Sequence, residues 1–93
     1  MVQSPLSNFY VNTHTATDDA AFRLEDNPGL VLKSCNIHVY TNPAYYGNMS
    51  ALPGIVQANS VMWFDAPIRP FDLMFKNYTP GSNTTIVITG PLY

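Results

Sequence analysis

Hydrophobic residues alternate most regularly in the last quarter of the chain. Phe71, Leu73 and Phe75 occupy every second position, a period that is typical of a strand with one buried face. Residues 84–89 (TTIVIT) are rich in β-branched side chains, which favour strands. Residues 77–83 between them have a turn composition with Pro, Gly and Asn. This pattern predicts a C-terminal β-hairpin.

A break is predicted in the middle of the chain, where two hydrophobic runs disagree in parity. Leu30 and Leu32 share one face of an extended chain, whereas Ile37 and Val39 share the other. One regular strand cannot satisfy both sets, because a shift of one residue moves every side chain to the opposite face. The sequence therefore predicts two short strands, or one strand with a bulge near residues 33–36.

Turn residues divide the rest of the chain into short runs. Pro53-Gly54 is a strong turn signal, and the run at 55–64 after it is predicted to be extended. Residues 22–24 are interpreted either as a short strand or as part of a helical turn capped by Asp18 or Asp19. Turn signals at such short intervals are typical of β-sandwiches and small barrels.

The predicted fold class is therefore all-β. We expect a small β-sandwich or jelly-roll-like barrel of about six or seven strands with an N-terminal arm. The polar, Thr-rich residues 1–17 are assigned to the arm, and residues 18–93 to a single β domain. Because the chain has only 93 residues, it can enclose only a small core.

Charge is the most unusual part of the composition. Charged residues make up 11% of the chain, against roughly a quarter in typical soluble domains. Surfaces that are poor in Lys, Glu and Asp and rich in Tyr, Met and Asn are typical of the core of an interface. We therefore expect the protein to associate with copies of itself or with a larger protein partner.

The charge pattern also argues against other partners. The net charge is −2 and the four cationic residues form no cluster, so nucleic acid is not an expected partner. No apolar run approaches the about 20 residues that span a bilayer, and residues 1–10 lack the features of a secretory signal. Neither a membrane partner nor export by that route is expected.

The sequence contains few candidates for chemistry. Cys35 and His38 are the nearest pair of metal-ligand types, but their spacing in a strand points them to opposite faces, and His14 lies far away in the sequence. Cys35 is interpreted as a small buried hydrophobic residue and His38 as solvent-facing. No nucleophile elbow or phosphate-binding glycine loop is present. We expect no metal, no cofactor and no enzymatic activity.

Aromatic residues are the candidate interface. Tyrosines beside Asn, Thr and Gly combine rigid contact area with adaptable hydrogen bonding. The predicted interface residues are Phe9, Tyr10, Tyr40, Tyr45, Tyr46, Trp63 and Tyr78. A competing hypothesis is a carbohydrate-binding module in which Trp63, Tyr45 and Tyr46 stack on sugar rings. A third interpretation is that the tyrosines are half-buried at sheet edges and have no binding role.

The C-terminal segment resembles the small accessory structural proteins of tailed bacteriophage virions, which decorate or cement capsids or form spikes. The resemblance lies in residues 71–77 (FDLMFKN), 80–85 (PGSNTT) and 86–90 (IVITG). It implies a non-enzymatic virion structural protein that binds the major capsid protein or another virion protein as a multimer. A homotrimer and assembly in the host cytoplasm are also implied.

Overall fold

The chain folds into two packed antiparallel sheets. The computed structural model describes residues 9–48 and 51–93. Its strands are β1 (Phe9–Thr15), β2 (Phe22–Arg23), β3 (Cys35–Tyr40), β4 (Ala44–Gly47), β5 (Gly54–Val56), β6 (Ser60–Phe64), β7 (Met74–Asn77) and β8 (Thr85–Pro91), and a 3-10 helix (Pro70–Asp72) precedes β7. Sheet A has the order β1-β8-β3-β6 and sheet B the order β2-β7-β4-β5. The predicted all-β class is confirmed, with eight strands in the described residues.

The chain alternates between the sheets. Of the seven connections between the described strands, only the one from β4 to β5 joins neighbours in the same sheet, and the other six cross between sheets. This alternation is the arrangement of a jelly roll, or double-stranded β-helix. The two sheets pack their apolar faces against each other, and the polar connections lie at the two ends.

The predicted C-terminal hairpin is wrong. Strand β7 pairs with β2 and β4 in sheet B, whereas β8 pairs with β1 and β3 in sheet A. Period-two alternation requires only that each strand have one buried face. The alternation does not show whether the next strand in the sequence lies beside the first in the same sheet or across the core in the other sheet. Here β7 and β8 lie in opposite sheets, and each buries its apolar face in the core between them.

Two other predicted strands are shorter than expected. The run at 55–64 divides into β5 and β6, because Asn59 adopts a positive φ of 61° and its N–H donates to the carbonyl of Val39 at 2.6 Å. Asn tolerates this left-handed conformation. The strand predicted from Phe71 begins only at Met74, because Pro70 starts a 3-10 turn.

The predicted break near residues 33–36 is confirmed. Leu32 pairs with Leu92, and Asn36 pairs with Thr89. The segment from Leu32 to Asn36 therefore has one more residue than the segment opposite, which is the definition of a bulge. The short strand predicted near Phe22 is also present, as β2.

The expected division at residue 17 does not follow the sheets. Residues 9–15, which were assigned to the N-terminal arm, form β1 and pair with β8 along their whole length. The side chains of β1 that face inward also contact the segment that follows it: the Tyr10 hydroxyl donates to Glu25 at 2.6 Å and Asn12 donates to the carbonyl of Leu24. Residues 9–15 are thus part of the β domain, and residues 1–8 lie outside the described residues.

The core lies between the sheets. The side chains of β3 and β8 that face inward contribute half of the buried cluster, because both strands lie in the middle of sheet A. The buried cluster consists of Leu24, Leu32, Cys35, Ile37, Val39, Ala44, Val56, Phe75, Ile86 and Ile88.

A buried asparagine holds the crossing from β7 to β8. Asn77 is 2% exposed, and its side-chain oxygen accepts the N–H of Thr84 at 3.0 Å. Its amide donates to the carbonyl of Asp18, the carboxylate of Asp19 and the side-chain oxygen of Asn83. These bonds satisfy the buried amide and join two connections, β1–β2 and β7–β8, at one end of the sandwich.

Replacing Asn77 tests this junction. Asn77→Ala leaves the Thr84 N–H without its acceptor in a buried site, so we expect the free energy of unfolding to fall by about 2–4 kcal/mol. Urea denaturation monitored by circular dichroism measures the change. Asn83→Ala, which removes only one of the bonds, is the control and should cost less than about 1 kcal/mol. Equal losses in the two variants would contradict the assigned role of Asn77.

Candidate interaction surface

The outer face of sheet A is the most distinctive surface of the protein. Antiparallel pairing places alternate residues of its four strands side by side on this face. In the order β1, β8, β3 and β6, the central rows are Thr13, Val87, His38 and Val61, and Val11, Thr89, Asn36 and Trp63, with Phe9, Thr15, Thr85 and Tyr40 toward the ends. We call these residues the sheet A face.

The sheet A face has no formal charge. The four strands of sheet A, all within the described residues, contain no Lys, Arg, Asp or Glu. In sheet B, by contrast, Arg23 lies in β2 and Lys76 lies in β7. The cations and anions of the molecule are therefore placed in sheet B and in the connections between strands.

Large apolar side chains protrude from this uncharged face. Trp63 is 67% exposed and Val11 is 60% exposed, and they lie at opposite ends of one row. The rings of His38 and Tyr40 stack at a centroid distance of 6.0 Å. Thr and Asn side chains lie between these residues, so the face combines apolar area with hydrogen-bonding groups. Such a surface resembles the core of a protein interface.

The predicted interface residues divide into three groups. Phe9, Tyr40 and Trp63 lie on the sheet A face. Tyr45 and Tyr78 lie together elsewhere, with ring centroids 5.0 Å apart, and Tyr45 is in sheet B. The sequence therefore identified three members of the sheet A face and two members of a separate aromatic pair.

The other two predicted residues turn toward the core. Tyr10 and Tyr46 pack against the buried cluster. Burial, together with the hydrogen bond to Glu25, raises the pKa of Tyr10 to about 12. The same bond lowers the pKa of the Glu25 carboxyl. Both tyrosines support the fold rather than a contact surface.

The residues proposed as a sugar platform are not brought together. Trp63 belongs to sheet A, while Tyr45 and Tyr46 belong to sheet B. Tyr45 and Tyr46 are adjacent in β4, so their side chains point to opposite faces of that sheet. A stacking platform made of all three is therefore absent from this fold.

Sequence inspection missed the β-branched members of the sheet A face. Val61, Val87 and Thr89 are ordinary strand residues in the sequence, and only the pairing of β8 with β3 and of β3 with β6 places them beside Trp63 and Asn36. One signal was present: the strand-forming segments at both ends of the chain contain no charged residue. Its meaning depended on knowing which segments share a sheet.

The candidate metal ligands do not form a site. Cys35 faces the core at 3% exposure, and His38 lies on the outer face of the same strand, as predicted. Within residues 9–48 and 51–93, no group of three or more His, Cys, Asp or Glu is placed to hold a metal ion. In the same residues, no helix is long and apolar enough to cross a membrane.

An apolar cavity of about 330 Å³ lies beside Tyr46, Phe64, Ile68 and Leu73. The carboxylate in its lining, Asp72, forms an ion pair with Arg69 at 2.9 Å. The hydrogen bond from Arg69 lowers the pKa of Asp72, so this group is held as an anion. A carboxylate held in this way is poorly suited to accept a proton.

Three solved structures share this fold. The fatty-acid-bound ToxT from Vibrio cholerae superposes on 97% of this chain with a TM-score of 0.59 and 11% identity. A de novo designed double-stranded β-helix covers 90% with a TM-score of 0.55 and 14% identity. The putative ethanolamine utilization protein EutQ from Salmonella typhimurium LT2 covers 94% with a TM-score of 0.52 and 18% identity. No protein-family model and no curated protein matches the chain.

These similarities establish the fold alone. The chain spans 31% of ToxT and 61% of EutQ, but 99% of the designed protein. The comparison with the designed protein shows that nearly all of a double-stranded β-helix corresponds to this chain. Since one fold supports many functions, function has to be argued from the surface.

The burial of Cys35 leads to a test of its reactivity. Burial raises the pKa of the Cys35 thiol to about 11, so little reactive thiolate is present at pH 8. We expect Ellman's reagent to label native protein at least about a hundredfold more slowly than protein unfolded in guanidinium chloride. The absorbance of the released thiolate measures both rates. Equal rates in the two states would contradict a buried position.

Proposed function

We propose that this protein is a non-enzymatic structural protein of a virion, which binds the major capsid protein or another virion protein through the sheet A face. Its role would be that of a capsid decoration or cement protein, located on the particle after assembly in the host cytoplasm. Multimers of the chain, with the homotrimer as the initial expectation, would bind at repeated positions and stabilise the particle.

The uncharged sheet A face is the observation that supports this proposal. A monomeric protein usually keeps such a surface charged, and large exposed apolar groups on a flat face favour contact with another protein. Trp63 at 67% exposure is the residue type most enriched at energetic hot spots of interfaces. The resemblance of the C-terminal segment to phage accessory proteins is the reason for proposing a virion as the assembly.

The size of the face agrees with repeated rather than single binding. With strands about 4.8 Å apart and about 3.3 Å per residue, a four-stranded face of this length covers about 400 Å². A standard interface buries about 800 Å² on each partner. One copy alone would therefore bind weakly, whereas a multimer on a symmetric particle gains affinity by binding at several sites at once.

Co-sedimentation tests the proposal directly. Particles of a tailed phage that encodes this chain, stripped of the native copy, are mixed with purified protein and separated on a density gradient. We expect the protein to migrate with the particles, and Trp63→Lys to weaken binding by about thirtyfold, which corresponds to about 2 kcal/mol at a hot spot.

Tyr78→Lys is the matched control, because it introduces the same charge at an exposed aromatic residue away from sheet A. It should bind like the unmodified chain. The proposal fails if the unmodified protein does not migrate with the particles. The choice of surface is wrong if Tyr78→Lys releases the protein and Trp63→Lys does not.

Carbohydrate binding remains a second candidate because of the Tyr45–Tyr78 pair. The two rings are tilted by 46° at 5.0 Å and Lys76 lies beside Tyr45 in the sheet register, a combination of aromatic and polar groups that suits a sugar ring. If this function is correct, the protein binds on a glycan array and Tyr78→Ala abolishes the signal while Trp63→Ala retains it. The absence of any glycan signal from folded protein would exclude it.

A further inference from the structure

The two edges of sheet A are not equivalent. Its edge strands are β1 and β6, and the direction of their backbone groups follows from one hydrogen bond. The N–H of Ala16 donates to the carbonyl of Thr84 at 2.9 Å, so Ala16 bonds toward β8. Because directions alternate along an antiparallel strand, Thr13 and Val11 point their backbone groups away from the sheet.

The middle of the β1 edge is already bonded at Thr13. The N–H of Thr13 donates to the side-chain oxygen of Asn12 at 2.9 Å. The amide nitrogen of Asn12 in turn donates to the carbonyl of Leu24. One side chain thus caps the middle of this edge and ties it to the next segment, which prevents an incoming strand from pairing there.

Within residues 9–48 and 51–93, no strand pairs with the outer edge of β6. The same alternation of hydrogen-bond directions can be followed from β8 to β3 and from β3 to β6 with the registers of these two strand pairs. It directs the backbone groups of Met62 toward β3 and those of Val61 and Trp63 away from the sheet. The sequence of β6, SVMWF, contains no Pro, Gly or charged residue. Proteins usually protect an edge strand with residues of such kinds, and β6 lacks this protection. Val61 and Trp63 therefore direct their backbone donors and acceptors away from the sheet, beside the exposed indole of Trp63 and the partly exposed Val61.

We propose that two copies of this chain pair antiparallel through β6, around a twofold axis at Met62. This inference rests on the self-association in the proposed function and makes it specific, with a twofold dimer in place of the homotrimer that was the initial expectation. In this register Val61 lies opposite Trp63 of the second copy, and each outward N–H of one copy meets an outward carbonyl of the other. The pairing is isologous, so it closes on itself and leaves no further edge of this kind.

Side chains favour a second copy as the occupant of this edge. The symmetric register places the exposed indole of Trp63 beside the β-branched Val61 of the other copy, a cross-strand pair that stabilises sheets. Asp65, the first charged residue after β6, lies opposite Asn59 rather than opposite a second carboxylate. Pairing also joins the two sheet A faces into one continuous uncharged surface of about 800 Å², the size of a standard interface side.

The mass in solution tests the oligomeric state. Sedimentation equilibrium of the full chain at micromolar concentration, without particles, should give twice the 10.3 kDa mass of one chain. A monomer or a trimer at these concentrations would overturn the inference. Because no particle is present, this result is independent of co-sedimentation: a monomer that still binds particles through Trp63 leaves the proposed function intact.

Two matched proline variants test which edge is used. Val61→Pro removes an outward N–H from β6 and Val11→Pro removes one from β1, and neither N–H is bonded within the sheet. We expect Val61→Pro to raise the dimer dissociation constant about tenfold to hundredfold, because the twofold axis means that one hydrogen bond is lost from each copy. We expect Val11→Pro to leave the dissociation constant unchanged. The reverse result would assign the interface to β1 and overturn the inference.

Cysteine cross-linking tests the register in a chain with an unaltered backbone, and so decides the question even if Val61→Pro does not fold. Across the twofold axis the two copies of Met62→Cys have Cα atoms about 4.5 Å apart, within disulfide range. The two copies of Ser60→Cys, on the same face of β6, would be about 13 Å apart. A covalent dimer at position 62 and not at 60 supports the pairing, and a dimer at 60 or at neither position overturns it.

Discussion

The crossing of the chain between β7 and β8 depends on the hydrogen bonds of one buried side chain, that of Asn77. Its side-chain oxygen accepts a hydrogen bond from the N–H of Thr84, at the point where β8 begins. Its amide nitrogen donates to Asp18 and Asp19 in the connection between β1 and β2. Since β8 lies between β1 and β3, the position at which it enters sheet A sets the register on both sides. The rows of the sheet A face follow from that register.

Charges in this protein stabilise connections, and that use explains why sheet A has none. Asp19 accepts hydrogen bonds from Asn77 and from the N–H of Gly81, which lower the pKa of its carboxyl. Glu25 accepts the Tyr10 hydroxyl, and Asp72 pairs with Arg69. With only 11% charged residues in the sequence, these roles account for much of the available charge. The neutral surface that remains is the one suited to contact with another protein.

The sequence predicted the class of the fold because β-branched residues and frequent turn residues restrict a short chain to sheets. The confirmed bulge before β3 shows that parity along one strand is reliable information. The partner of each strand was not predictable in this way, as β7 and β8 show, because a period of two does not say whether a neighbour lies beside or opposite. For the same reason the sequence identifies Phe9, Tyr40 and Trp63 as separate candidates and does not show that they share a face. It does not identify Val61 and Val87, which also belong to the sheet A face.

Under the proposed function the protein has to exist free before it binds, and the mixture of residues on the sheet A face suits that requirement. A face of Leu and Phe alone would favour aggregation, whereas Thr13, Asn36 and Thr89 present hydrogen-bonding groups beside Trp63 and Val11. In the proposed complex these hydroxyl and amide groups would exchange water for protein partners at little net cost, so the free energy of binding would come mainly from the indole and the β-branched side chains. The Asn12 bonds at the edge of β1 would have the matching role for the backbone in the proposed dimer, because they favour strand pairing at the β6 edge instead.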